Sequence, residues 1–98
     1  MAVKIFIKRK IKDGKLNEVS KLLIKARYNA MDQEGYISSE TLSGCDRPNH
    51  VMVISMWQRI AHWNQWKNSD LRAENEAAFA ALIDEPTEYE TYNLGLQL

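Results

Sequence analysis

Side chains able to do chemistry are few in this chain, and the densest group lies between Val51 and Asp70. Trp63 and Trp66 follow Ile60 at i+3 and i+6, so the three share one face of a short helix. Such a face predicts an aromatic-lined cavity. His62 stands four residues before Trp66, and side chains at i and i+4 meet on one helix face. Imidazole and indole could therefore reach one pocket, and a neutral imidazole accepts a proton near pH 7. Trp66 is the first candidate for a ligand-facing residue, while Trp57 and Trp63 read first as packing. Tyr28 and Asn29 lie late in the first helix, where polar groups could reach a cavity mouth; the spacing leaves their direction open.

Other chemistries find little support. Cys45 lies in a Gly-Cys-Asp turn with no partnered histidine, so no activated nucleophile is expected. Two separate histidines and one cysteine do not make a structural zinc site. The carboxylate pairs Asp84/Glu85 and Glu74/Glu76 read as solvated helix charges. Gly14, Gly35, Gly44 and Gly95 are spread too widely for a phosphate-binding loop.

The elements that must position these groups follow from hydrophobic periodicity. Val3 to Ile11 alternates, with Val3, Ile5 and Ile7 on one face and Lys4, Phe6 and Lys8 on the other, a strand pattern. Lys12-Asp13-Gly14 is a turn in which Asp13 is expected to cap the next helix. That helix runs from Lys15 to Asp32, with Leu16, Val19, Leu23, Ala26 and Ala30 inward. Gly35 breaks it, and Tyr36 to Ser43 forms a second strand ended by Gly44-Cys45-Asp46-Arg47-Pro48-Asn49. The third strand is His50 to Trp57. Arg59 to Lys67 is the short tryptophan helix. Ser69 then caps a helix reaching about Ile83, with Asp70 in its first turn and Leu71, Ala78, Ala81 and Leu82 inward. Glu88 to Leu94 is the last strand.

The order βαββ(αα)β is a split βαβ pattern, so the expected fold is an α+β ferredoxin-like sandwich with a four-stranded antiparallel sheet, one domain over residues 1–98. In the third strand Val51, Val53 and Ser55 point one way and Met52, Ile54 and Met56 the other, so both faces need a cover. Helices cover one. A second copy of the chain, joined through the open sheet face, is the simplest cover for the other, with Phe6, Tyr92 and Leu94 adding to that surface.

Composition bounds the partners. Thirteen Lys and Arg balance thirteen Asp and Glu, so no overall charge attracts nucleic acid or anionic lipid. Basic residues do gather at Lys4, Lys8, Arg9, Lys10, Lys12 and Lys15, which reads as a strand end lying beside an acidic strand. The lone cysteine fits a reducing cytoplasm, and neither a signal-peptide pattern nor a spanning apolar run is present.

Two motifs carry a family resemblance. Gly35-Tyr36-Ile37-Ser38-Ser39-Glu40-Thr41-Leu42 fits the pattern G-[FY]-[IV]-x-x-E-x-L, and Trp57 with Trp66-Lys67-Asn68-Ser69-Asp70 fits W-x8-W-x-x-S-[DP]. The chain resembles the antibiotic biosynthesis monooxygenase (ABM) family of dimeric α/β-barrel proteins over nearly its full length. That resemblance implies a homodimer and, in one branch, a cofactor-independent monooxygenase acting on a small or polycyclic phenol or quinol. His62 would then be the catalytic base and Trp66 the catalytic pocket wall, with Trp63, Tyr28, Asn29 and Ile7 as candidate substrate-binding residues and no cofactor or metal. The family expectation at position 62 is Asn, so His62 is a departure. The haem-degrading branch is disfavoured: its Asn position falls at Ile7 and its iron-ligating His position at Glu76, and a carboxylate is an unusual axial ligand. The rival to an oxygenase is a non-catalytic dimer that binds a small aromatic ligand or serves a structural role.

Overall fold

A computed structural model describes residues 1–98. Its elements are β1 (Val3–Lys10), α1 (Leu16–Met31), β2 (Tyr36–Ser43), β3 (His50–Trp57), α2 (Ile60–Lys67), α3 (Asp70–Ala80) and β4 (Glu88–Asn93). The strands form one antiparallel sheet in the order β2-β3-β1-β4, the expected α+β ferredoxin-like arrangement. Alternation along β1 decides which side is core: Val3, Ile5, Ile7 and Arg9 are buried, while Lys4, Phe6, Lys8 and Lys10 are not. Register then puts Trp57, Ser55, Val53 and Val51 of β3 on the same side as those residues. The opposite side carries Phe6, Met52, Ile54, Met56 and Tyr92, with Phe6 and Tyr92 in edge-to-face contact at 5.2 Å. The basic strand does lie beside an acidic one: Lys8 pairs with Glu90 of β4, and Lys10 lies 3.8 Å from Glu85.

The core is split in two. Val3, Ile5, Ile7, Trp57, Trp63 and Trp66 make one cluster; Ile11, Val19, Val51, Phe79 and Leu82 make the other. Arg9 is the inward residue of β1 between Ile7 and Ile11, so it stands where the two clusters would otherwise merge.

Several local expectations change. β1 ends at Lys10, and Ile11 makes only an isolated bridge to Ile83. Asp13 does not cap α1; Lys15 is the N-cap, without a side-chain bond, and Asp13 instead accepts from Asn49 Nδ2 at 2.6 Å. The inward face of α3 is Arg72, Asn75, Phe79 and the following Leu82, not Leu71, Ala78 and Ala81, which are exposed. Leu16 and Ile60 are likewise exposed, at 38% and 42%. Ser69 does cap α3: its Oγ accepts from the Arg72 N–H at 3.2 Å and donates to the Trp66 carbonyl at 2.7 Å. One hydroxyl thus joins the end of α2 to the start of α3 and sets Trp66 relative to Arg72.

Candidate active site

Between the sheet and the helices lies a partly open cavity of about 70 Å³. β1 supplies Ile7 and Arg9, α1 supplies Leu23, Ala26, Arg27 and Ala30, and β2 supplies Tyr36, Ser39 and Thr41. β3 adds Val53, Ser55 and Trp57; α2 adds Trp63 and Trp66; α3 adds Arg72, Asn75 and Glu76. The aromatic wall is held by ring contacts. Tyr36 meets Trp57 edge-on at 5.5 Å, and Trp63 lies 6.1 Å from both Trp57 and Tyr89. Hydroxyl groups fix two of the rings: Trp57 Nε1 donates to Ser55 Oγ at 3.1 Å, and Tyr36 OH shares a 2.7 Å bond with Ser39 Oγ. These bonds use polar atoms that burial would otherwise leave unpaired.

The polar side of the cavity is an arginine pair around one acid. Arg9 Nη2 donates to Glu76 Oε1 at 2.6 Å, and Arg72 Nη2 lies 3.1 Å from the same oxygen. Arg72 Nη2 also donates to Tyr89 OH at 2.9 Å. Each guanidinium faces an aromatic ring: Arg9 sits 4.2 Å over Phe79 and Arg72 sits 5.1 Å over Trp63. Both arginine side chains are almost fully buried, whereas Glu76 keeps a quarter of its side chain exposed. Burial pushes the Arg9 pKa below its usual value, with Glu76 opposing the shift; the guanidinium remains charged. Burying charge is costly unless it is paired and fully bonded. Here Arg9 Nε and Asn75 Nδ2 have no partner, although Asn75 Oδ1 receives a long 3.5 Å bond from Asn29 Nδ2.

The sequence candidates divide between the cavity and its surroundings. Trp66, Trp63 and Ile7 line the cavity. His62 does not, which corrects the expectation that it shares a pocket with Trp66. Its ring packs against Gly35, where φ is +83°, with Nε2 at 3.7 Å from Glu34 and Nδ1 buried without a partner. Sharing a helix face gives proximity in projection, but the glycine at the start of β2 opens a niche that takes the imidazole instead. Tyr28 is 70% exposed and lies outside the cavity lining. Asn29 sits behind it, bonded to Asn75, and its carbonyl accepts from Gln33.

Arg9, Arg72, Asn75 and Ser55 were not among the candidates, and Glu76 is a paired acid rather than a solvated helix charge. Parity could have found Arg9, because it continues the inward series Val3, Ile5, Ile7. A charged residue on a core-facing position is a signal in itself. Arg72 and Glu76 stand at i and i+4, so either one found inward implicates the other.

Residues 2–81 match the sequence model of the family described as antibiotic biosynthesis monooxygenase. Among solved structures, a protein from Methanosarcina mazei superposes with a TM-score of 0.88 at 21% identity, over 94% of this chain and 91% of that one. SnoaB from Streptomyces nogalater, a cofactor-independent oxygenase, superposes with a TM-score of 0.86 at 15% identity, over 99% and 96%. A protein from Shewanella oneidensis gives 0.80 at 20% identity, over 93% and 88%. No curated protein matches the chain.

Proposed function

Since the chain belongs to the antibiotic biosynthesis monooxygenase family, we propose that it is a cofactor-independent monooxygenase acting on a small phenol or quinol in the cavity beside Trp66. The observation that carries this reading is the pairing of an aromatic wall with buried cations in one cavity. A planar phenol is gripped by the rings, while nearby guanidiniums favour its anion over its neutral form. The phenolic proton leaves to solvent through the open side of the cavity. The phenolate then passes an electron to O2, the two radicals recombine as a peroxide on a ring carbon, and that peroxide takes a proton back from solvent. Loss of water leaves the quinone. One oxygen atom stays in the product, the other leaves as water with two hydrogens of the substrate, and no external reductant is consumed. Trp66 and Trp63 orient the ring, and Arg9 and Arg72 stabilise its negative charge; His62, turned toward Gly35, receives no proton in this scheme. The cavity volume supports a monocyclic substrate over a polycyclic one, since pockets for drug-sized ligands span roughly 300–1,000 Å³.

The same reading joins two chains through the open sheet face, where Phe6, Met52, Ile54, Met56 and Tyr92 are gathered. It needs no membrane span, and no helix is long and apolar enough to cross a bilayer.

Oxygen uptake by the purified, chelator-treated protein with a panel of phenols and hydroquinones tests the proposal, with Trp66→Phe beside it. Uptake that drops at least about tenfold in the folded variant, a loss of some 1.4 kcal/mol of transition-state stabilisation, supports it. Absence of uptake across the panel rejects it in favour of a non-catalytic dimer that binds a small aromatic ligand. The small cavity is the observation favouring that second reading.

A further inference from the structure

The charged residues lining the cavity are unequal in sign. Arg9, Arg27 and Arg72 are cationic, and Glu76 is the sole acid among the lining residues. This is a local excess in a chain whose formal charge is zero. Two of those cations are buried, and both their contacts to Glu76 fall on a single oxygen, Oε1. Tyr89 takes one further bond from Arg72, and the faces of Phe79 and Trp63 take part of the remaining charge. Arg9 Nε and Asn75 Nδ2 nevertheless stay without an acceptor, and Arg9 and Asn75 are each more than nine-tenths buried. Two unpartnered donors on side chains that line one cavity, both atoms shielded from solvent, together with an uncompensated positive charge are what an anion would satisfy once those donors turn toward it.

We propose that the cavity takes an organic anion, a small aromatic acid whose carboxylate is held by Arg9, Arg72 and Asn75 while its ring lies on Trp63 and Trp66. The inference deepens the phenol reading by naming the substrate class, a phenol or quinol bearing a carboxylate. It rests on that reading for the location of the site, and in such a substrate the carboxylate replaces the phenolate oxygen as the anion at Arg9 and Arg72. A carboxylate brings acceptor lone pairs on two oxygens, enough for the free donors of Arg9 and Asn75 and for a bond from Arg72. It also brings the one negative charge that Glu76 alone does not supply. A neutral amide of the same shape offers one acceptor and no charge, so discrimination between the two is the signature of the site.

The probes are benzoate and benzamide, each titrated against the intact protein and followed by tryptophan fluorescence and thermal melting. Benzoate is expected to bind at least about tenfold tighter than benzamide, with an affinity that falls as salt is raised. Arg72→Met should remove that preference. Asn75→Asp is the second variant, nearly isosteric and adding a carboxylate where the donor stood; it should lose benzoate binding while melting no lower than the parent, because it supplies the missing charge internally. A simple packing role for Asn75 gives no reason for that combination. Equal binding of the two probes, no binding of either, or benzoate affinity unchanged in Asn75→Asp overturns the proposal. The readout needs no turnover, so its failure is separable from that of the oxygenase reading. Selective benzoate binding without oxygen uptake leaves the anion site and removes the oxygenase; uptake with neutral phenols and no benzoate preference does the reverse.

Discussion

Replacing Gly35 by alanine should destabilise the protein through two separable effects. Gly35 has φ of +83°, a region that costs an L-residue roughly 1–2 kcal/mol. An added Cβ would also collide with the His62 ring at Cγ and Nδ1 and would lie 2.6 Å from His62 Cβ. Overpacking of this kind costs about 1–3 kcal/mol. The combined loss is therefore around 2–5 kcal/mol, a large share of the roughly 5–15 kcal/mol that holds a typical domain together. Because His62 Cβ is itself too close, truncating position 62 to alanine does not relieve the collision. Glycine does. A cycle of parent, Gly35→Ala, His62→Gly and the double variant isolates the steric part, measured by urea unfolding with tryptophan fluorescence. His62→Gly alone should cost about 1 kcal/mol or more, from helix propensity and lost packing. In the double variant the cost of Gly35→Ala should shrink by about 1–3 kcal/mol, leaving the backbone penalty. If Gly35→Ala costs the same in both backgrounds, within about 0.5 kcal/mol, the imidazole does not occupy the Gly35 niche and its exclusion from the chemistry loses its basis.

Three further outcomes are expected. Ser69→Ala removes both the cap on Arg72 N–H and the bond to the Trp66 carbonyl, and should cost about 1–2 kcal/mol in denaturant unfolding; a loss below about 0.3 kcal/mol would deny the hydroxyl its linking role. Ile54→Asp places a charge amid Phe6, Met52 and Met56, so sedimentation should show a parent dimer and a monomeric variant, whereas an identical mass for both contradicts pairing through this face. Glu90 is held below the usual carboxylate range by its bond to Lys8 and by the Tyr92 hydroxyl. A depressed pKa contributes stability above the unfolded value of about 4.3 that is lost as pH falls through the folded value. The melting difference between the parent and Glu90→Gln, small because the pair is solvent-screened, should be present at neutral pH and decline as the pH falls below about 4.3 through the lower folded value. Persistence of the difference in acid would place its origin elsewhere.

Much of the frame was legible because punctuation in the chain is strong. Gly35 and the Gly44–Asn49 turn cluster bracket β2, and β2 and β3 begin and end where the periodicity puts them. The α1 and α2 boundaries shift by a residue at most, as fraying helix ends do. The face of α3 was misread for a physical reason. Its alanines at 73, 77, 78, 80 and 81 discriminate weakly between faces, so hydrophobic pattern alone cannot orient it. The deciding residues are Arg72 and Asn75, which turn inward because Glu76, Tyr89 and Asn29 are there to bond with them. Those partners come from three elements, and no window along the chain contains them all. The resting place of His62 is invisible for a similar reason: it depends on a space left by Gly35 at the far end of the α1–β2 turn.

The same polar cluster explains why the core is divided. Arg9 breaks an apolar series on the inward face of β1 and keeps Ile7 and Ile11 in separate clusters. A leucine or methionine there would join the clusters and, by the general behaviour of buried ion groups, would be neutral or stabilising in concert with apolar residues at 72 and 76. Folding alone therefore does not call for these charges. A residue set that stability does not require, buried beside an aromatic wall and left with unpartnered donors, is best accounted for by what enters the cavity. Unpartnered polar groups of this sort, tolerated at one place in an otherwise locally consistent fold, are a mark of functional sites. On the proposed reading the tryptophan helix supplies the ring-binding surface, and the buried arginines with Asn75 supply the charge and the donors that select what binds in the cavity. On that reasoning its specificity lies with Arg9, Arg72 and Asn75, while Trp63 and Trp66 provide a surface that any flat ring could use.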